Sequence, residues 1–398
     1  MRPRCALWAA AVCLAGCTIA PDRPDPNLLQ PPPATFPQAR LARLPAAAAV
    51  FYSPEFLQQS VDDRGVPGIS HRAGPASVAL FDRVLEAAFE QVLRLPAWPL
   101  PAGADRPEVA LVFVPRIAGI ATVQSPGSAA RLIEYRIEAF TPGGERIDAW
   151  TIHAKGRSDG AWNAREDKLY PGALRDAAAQ LLTSVAGRPA LKAKLPGAHF
   201  VPGPLPRAGR SSGGAARLAI TSLLEPAETR NRAMASDSGC IAEVLAQANP
   251  HASIVPLEQI QDQVFPWFEH ANLMDTAQRM LELVRHAPFR EGLSAASLDY
   301  VAFLHTERST ERNPEAPRCD TTYKAPGCSG VRADAMKTRV QVTLWNLNRY
   351  TMSARFETES AGSATFSGVT VPISGERASS DSACRRAGDA IGRLVGSR

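Results

Sequence analysis

A chain of 398 residues with 45% hydrophobic content has the apolar material for two ordinary domains, each with its own core. A formal charge of +5 is slight for this length, and no basic stripe with interleaved aromatics occurs, which argues against a nucleic-acid binder. Beyond the first residues, no segment approaches the run of about 20 apolar residues that a membrane-spanning helix needs.

The chain opens Met-Arg-Pro-Arg, and an uncharged run from Cys5 to Ala15 follows. Arg2 and Arg4 form a positive start, and Ala6–Leu14 is an apolar stretch too short to span a bilayer but suited to an export signal. Leu14-Ala15-Gly16-Cys17 resembles the lipobox of bacterial lipoproteins, in which the Cys thiol is acylated and cleavage leaves that Cys first. The resemblance implies a signal peptide over residues 1–16, a lipid on Cys17, and two fewer positive charges once Arg2 and Arg4 are gone. Thr18 stands where an Asp would retain the protein at the inner membrane, so the resemblance implies the outer membrane, facing the periplasm. The competing reading is an ordinary signal peptide with a chance Cys. Residues 17–45 carry Pro21, Pro24, Pro26, Pro31–Pro33, Pro37 and Pro45 and read as an extended, semi-rigid tether.

In the first half, Ala47–Tyr52 reads as a short strand. Ser77 offers an N-cap to a helix in which Phe81, Val84, Leu85, Ala88, Phe89 and Val92 recur at helical spacing, and Pro96 ends it. Val109–Val114 is a continuous apolar strand. Ile133, Tyr135, Ile137 and Ala139 alternate with Glu134, Arg136 and Glu138, and a Pro142-Gly143-Gly144 turn leads back into Arg146–Ala154. Leu174–Val185 closes this half as a helix. A Pro-, Gly- and Ser-rich stretch from Pro196 to Gly214 reads as a linker, giving domains over 46–195 and 217–398 with 196–216 between them.

The second half runs in a similar order. Arg217–Leu224 is a strand, a helix lies around Cys240–Ala248, and Ser253–Val255 is a candidate short strand before a helix near Leu257–Val264. Asn272–Val284 is helical in pattern and looks like an insertion. Strands follow at Leu298–Leu304, Val340–Trp345 and around Tyr350–Phe356, and Ala383–Val395 ends the chain as a helix. The expected fold class is therefore α+β: two tandem mixed-sheet domains with helices packed on one face, each strand-helix-strand-strand-strand-helix.

Tyr135–Ile152, reading YRIEAFTPGGERIDAWTI, resembles a pattern in periplasmic lipoproteins with a TolB N-terminal-like domain, among them the curli-secretion lipoprotein. Tyr135, Gly143, Gly144 and Trp150 occupy the matching places, and Leu298-Asp299-Tyr300-Val301 is similar to that family's strand entry. Asn346-Leu-Asn-Arg349 departs from the pattern, standing where a Gly turn is expected. The amphipathic hairpins that would build a secretion barrel are not evident.

With Cys5 and Cys13 in the signal and Cys17 acylated, four cysteines remain: Cys240, Cys319, Cys328 and Cys384. An even number in an exported chain suggests disulfides. Three pairings are possible; Cys319 and Cys328 bracket a short polar loop and form the natural local pair, leaving Cys240 with Cys384. A zinc site competes, although the spacings fit no common zinc pattern.

Catalytic signatures are weak. Gly209-Arg210-Ser211-Ser212-Gly213 fits the serine-hydrolase expression but sits in the linker, without the strand and helix that would strain Ser211. Glu269, His270, Asp275 and His286 form the densest group of possible metal ligands, without a recognised spacing, and read as helix-surface groups. Trp267 and Phe268 are the strongest aromatic concentration; they are either core or, if exposed, a partner surface. The expectation is a lipid-anchored, non-enzymatic accessory or assembly factor that binds an envelope protein, with no metal and no cofactor. The alternatives are an auxiliary lipoprotein of envelope lipid or solute transport and, third, a cell-wall hydrolase.

Overall fold

The computed structural model describes residues 28–29, 31, 34, 36–100, 108–125, 128–159, 166–195, 215–223, 235–269, 271–311, 331–367 and 375–396. The first half contains β1 (Leu28–Leu29), β2 (Leu44–Val50), α1 (Pro54–Gln58), β3 (Ser60–Asp62), β4 (Ser70–Arg72), α2 (Gly74–Ala88) and β5 (Phe89–Arg94). It continues with β6 (Leu111–Ser125), β7 (Ser128–Phe140), β8 (Arg146–Asp159), α3 (Glu166–Gly187) and α4 (Pro189–Lys192). The second half contains β9 (Ala216–Ser222), α5 (Ala235–Ala248), β10 (Ala252–Val255), α6 (Leu257–Ile260), α7 (Leu273–Leu283) and α8 (Ala287–Ala295). It ends with β11 (Tyr300–Glu311), β12 (Val331–Asn346), β13 (Thr351–Ser367) and α9 (Gly375–Gly396).

The two halves share one topology. The first sheet runs β5-β2-β6-β7-β8 and the second β10-β9-β11-β12-β13. In each, the first three strands in that order are parallel and the last two antiparallel. The α+β class and the two mixed sheets expected from the sequence are both present; β10 is the short strand read at Ser253–Val255, while the first sheet has one strand more than expected, β5, and a small separate sheet, β1-β4-β3, was not expected.

The extra strand in the first half is a correction. Phe89 and Val92 fit the helical spacing of α2, yet the helix stops at Ala88 and Phe89–Arg94 turns into β5, parallel to β2. Pairing with the edge of β2 satisfies the backbone while Phe89 still enters the core against Phe113, so tertiary pairing overrides a pattern that either structure can satisfy. The helix also begins earlier than expected, at Gly74 with Pro75 in its first turn. Ser77 lies inside it, donating to the Ala73 carbonyl at 2.8 Å and sharing a 3.0 Å hydrogen bond with the Tyr135 hydroxyl.

Alternation decides which face of each strand is buried. In the first sheet, Val50, Phe113, Ile133, Tyr135, Ile137, Trp150 and Ile152 point toward α2 and α3. Gly156 is needed where β8 meets α3, because a Cβ there would collide with the Leu169 carbonyl. The opposite face carries a small apolar cluster at one end, with Ala49, Val109 and Val112 beside Trp98 and Phe140, and charged side chains, among them Arg116, Arg136 and Glu138. In the second sheet, Leu218, Ala302, Leu304, Val342 and Leu344 face α5 and α9. Its other face is also covered: Ala219, Val301, Phe303 and Trp345 pack against the α6–α8 insertion. The second half therefore has helices on both faces, one layer more than the expected architecture.

Ala34 and residues 36–45, within the stretch 17–45 expected to be tether, belong to the body. Ala34 is buried, Phe36 stacks on Phe265 with ring centroids 5.7 Å apart, and the Arg40 N–H donates to the Phe265 carbonyl at 2.8 Å. The proline content hides three apolar side chains, Phe36, Ala39 and Leu41, that find partners only in the folded molecule.

Candidate functional site

Four features compete for functional attention: the cysteines, the aromatic pair, a buried ionic cluster and the seam between the halves. Cys240 on α5 and Cys384 on α9 form a disulfide, with Cα atoms 6.2 Å apart. It ties together the two helices that cover one face of the second sheet. Cys17, Cys319, Cys328 and the Ser211 motif lie outside the described residues.

Trp267 and Phe268 do not form a surface. Trp267 is 5% exposed and Phe268 fully buried, stacked with Phe289 and Phe303. Of the two readings the sequence allowed, the structure shows core and not a partner surface: the insertion folds its aromatics onto the second sheet, and the Trp267 indole N–H donates to the Arg40 carbonyl at 3.1 Å. The candidate metal group also disperses. Glu269 pairs with Arg175 and Asp275 with Arg279, burial lowers the His286 pKa, and His270 lies outside the described residues. No metal-ligand cluster occurs among the described residues.

The most buried charges sit in the first half. Asp63 follows β3, His71 is on β4, and Thr122 and Arg131 face each other on β6 and β7. Asp63 Oδ2 accepts from Arg131 at 2.7 Å and lies 3.1 Å from His71 Nε2, while its Oδ1 accepts the Gly65 and Thr122 N–H groups at 2.8 and 2.7 Å. The Thr122 hydroxyl also bonds Oδ2, and Arg131 bonds the His71 ring. Burial pushes the Asp63 carboxyl up, but the Thr122 hydroxyl, the Gly65 N–H, His71 and the Thr122 N–H outweigh it and hold it at about 2. The side chains of Asp63, His71 and Arg131 are each 1% exposed, so no substrate reaches them. The cluster clamps the β3–β4 hairpin to the end of the long β6–β7 hairpin. Sequence reading missed it: His71 was only one of seven scattered histidines, and Asp63 and Arg131 carry no local signature.

The seam joins α3 of the first half to the insertion of the second. Arg175 donates to Glu269 at 2.6 and 2.9 Å and to Asp262 at 2.7 Å, and lies over the Phe265 ring at 5.5 Å. Asn272 donates to the Ala179 carbonyl at 3.2 Å and accepts from Thr183. Phe265 itself is part of the first half's core. Asp176, one residue beyond Arg175, accepts from the Lys155 N–H at 2.8 Å and the Gln180 amide at 2.9 Å. Burial raises its pKa to about 6 against those hydrogen bonds, and nearby Glu269 raises it further. Glu269 is also raised by burial, with Arg175 pulling it down.

The residues that carry the TolB-like resemblance have structural places. Tyr135 is fully buried, Trp150 packs edge-on against Phe113 under the Arg188 guanidinium, and Gly144 takes φ +91° in the β7–β8 turn. In the second half, the position a Gly would favour is filled by Tyr350 at φ +51°, and the Arg349 N–H donates to the Asn346 side chain. Asp299 organises its strand entry by accepting from the Arg217 N–H and the Asn348 amide.

No family model matches the chain, and no curated protein matches it at a significant level. Parts of the chain are similar to several solved structures, at low scores. A Xanthomonas campestris protein from family 330 of domains of unknown function is 15% identical over 39% of this chain and 91% of its own, with a TM-score of 0.29. PelC of Paraburkholderia phytofirmans, solved as a dodecamer, is 14% identical over 47% of this chain and 93% of its own, TM-score 0.20. A Neisseria meningitidis lipoprotein is 14% identical over 36% of this chain and 100% of its own, TM-score 0.19. With scores this far below 0.5, none assigns a family or a function to this chain. The structures named are neither TolB nor curli-secretion proteins, so that resemblance still rests on Tyr135, Gly143, Gly144 and Trp150.

Proposed function

We propose that this chain is a lipid-anchored envelope protein, held at the outer membrane through Cys17 and acting without chemistry of its own as a two-domain platform for a periplasmic protein partner. The observation that carries the reading is the lipobox Leu14-Ala15-Gly16-Cys17, placed ahead of two sheet domains joined by an ionic and aromatic seam. Anchoring raises effective concentration near other envelope proteins. The edge of β13 is the docking element: it ends its sheet, and Met352 on it is 51% exposed. An extended partner segment can add to such an edge by main-chain pairing. By contrast, β8 has its edge occupied, the Lys155 N–H by Asp176 and the His153 carbonyl by Gln180. Further along β13, Arg386 takes the Glu359 carbonyl, which confines docking to Thr351–Glu357.

Mass spectrometry of the N-terminal peptide from cells should find acylated Cys17 as the first residue, and Cys17→Ser should abolish that species. A photo-crosslinker at Met352 should capture a discrete envelope protein. An unmodified Cys17, or no adduct at Met352 under conditions where other envelope complexes crosslink, sinks the reading.

A further inference from the structure

Among the described residues, the outer face of the first sheet has no helix over it and carries an excess of positive charge. Arg116, Arg136 and Arg146 converge on one carboxylate, Glu138, at 3.8, 3.8 and 3.6 Å. The arginines are 69%, 57% and 60% exposed, whereas Glu138 is 13% exposed, so the guanidinium groups project past it into solvent. Register explains the grouping: Arg116 pairs with Arg136 across β6 and β7, and Arg146 pairs with Phe140 across β7 and β8. Arg64 joins the same face by pairing with Glu134 at 3.4 Å. Next to this patch, Phe140 and Trp98 are in contact and both remain half-buried.

The path of the chain brings the N-terminal side to this sheet. Leu28–Leu29 pairs with β4, β4 pairs with β3, and Asp63 just after β3 bridges to Ile120 of β6. Eleven residues separate Cys17 from Leu28, a span of at most about 40 Å. A bilayer holding a lipid on Cys17 is therefore within reach of the charged face.

We propose that the outer face of the first sheet docks on an anionic phospholipid surface, with Arg116, Arg136 and Arg146 meeting the phosphates and Trp98 and Phe140 at the headgroup boundary. Three exposed cations for one recessed carboxylate complement a negatively charged surface. Aromatic side chains beside them suit the interfacial layer of a bilayer more than a fully hydrated polymer. The anchored protein then lies with its first sheet toward the membrane and its second half outward. The inference rests on the anchor reading for its setting, but its test does not.

The full chain carrying Cys17→Ser is sedimented with phosphatidylglycerol vesicles and, separately, with phosphatidylcholine vesicles, at low and high salt. Binding to phosphatidylglycerol that is lost at high salt is expected. Arg116→Gln, Arg136→Gln and Arg146→Gln should each weaken it about fivefold. The corresponding Lys variants should retain it and show that the sheet still folds, and Arg393→Gln on α9 in the second half should have no effect. Absence of binding, equal binding to phosphatidylcholine, or an equal loss in Arg393→Gln overturns the proposal. So does a soluble acidic polysaccharide that binds more tightly than the vesicles. The anchor reading fails separately, by an unacylated Cys17 in the wild-type chain.

Discussion

Asp63 is the residue on which the ionic cluster turns, because it is the carboxylate that Arg131 and His71 share. Asp63→Asn keeps the shape but removes the carboxylate charge that the buried Arg131 guanidinium pairs with, a change that costs about 3–5 kcal/mol when one partner of a buried pair is removed. Urea denaturation at neutral pH should show that loss. Asp63 and Asp176 act in opposite senses with pH. Asp63, held at about 2 when folded, below its ordinary 3.8, contributes stability that is present above 3.8 and lost as pH falls through about 2. Asp176, raised by burial to about 6, binds its proton more tightly when folded, so its contribution is full below 3.8 and lost as pH rises through about 6. Stability should therefore fall on going from pH 4 to pH 7, by about 2–3 kcal/mol from Asp176. Asp176→Asn should flatten that slope; an unchanged slope in the variant would assign it elsewhere. None of this was legible in the sequence. Asp63 and Arg131 are 68 residues apart, and a charged residue in a strand shows no pattern that separates a buried pair from a solvated one.

Among the elements, the strands and closing helices were the legible part. Alternation at Ile133–Ala139 and the turn at Gly143-Gly144 place β7 and β8, and the apolar spacing of Leu174–Val185 lies within α3. The misread elements are those for which pairing decides: β5 fitted a helical pattern, and β6 continues well past Val114 because β7 pairs with it as far as Ser125. The disulfide acts at this scale. It spans a sequence separation of 144, for which loop-closure entropy predicts a contribution of about 5 kcal/mol at the upper end. Replacing Cys240 and Cys384 together by Ala should lower the melting temperature of the second half and make hydrogen exchange in α5 and α9 faster. Protection in the first sheet should stay as it was, since the bond lies wholly within the second half.

For the whole molecule, the decisive feature is that the insertion of one half completes the core of the other. Phe265 is fully buried in the first half's cluster while Trp267 and Phe268, two and three residues on, are buried in the second. Phe265→Ala removes the ring that Phe36 and Arg175 both pack on, a truncation that costs about 3–5 kcal/mol in a core. Small-angle scattering should then report a larger radius of gyration, with each sheet's secondary structure retained. An unchanged radius would show that the ionic contacts of Arg175 with Glu269 and Asp262 hold the seam alone.

By itself the sequence carried the resemblance to a lipobox, the recurrence of similar elements in the two halves, the faces that the central strands bury, and a short set of cysteine pairings that includes the Cys240–Cys384 bond seen in the structure. Those are local or additive properties: spacing of two or of three to four residues, turn residues, and a count of thiols. The tertiary structure alone decided between core and surface for Trp267 and Phe268, that Ala34 and residues 36–45 join the body, and that Asp63, His71 and Arg131 share a buried site. It also decided that the arginines of β6, β7 and β8 form one patch. Each of these joins groups far apart along the chain, as Trp267 and Arg40 do across 227 residues, and hydropathy periodicity carries no information over that distance. Strand register and the fold of the insertion supply it.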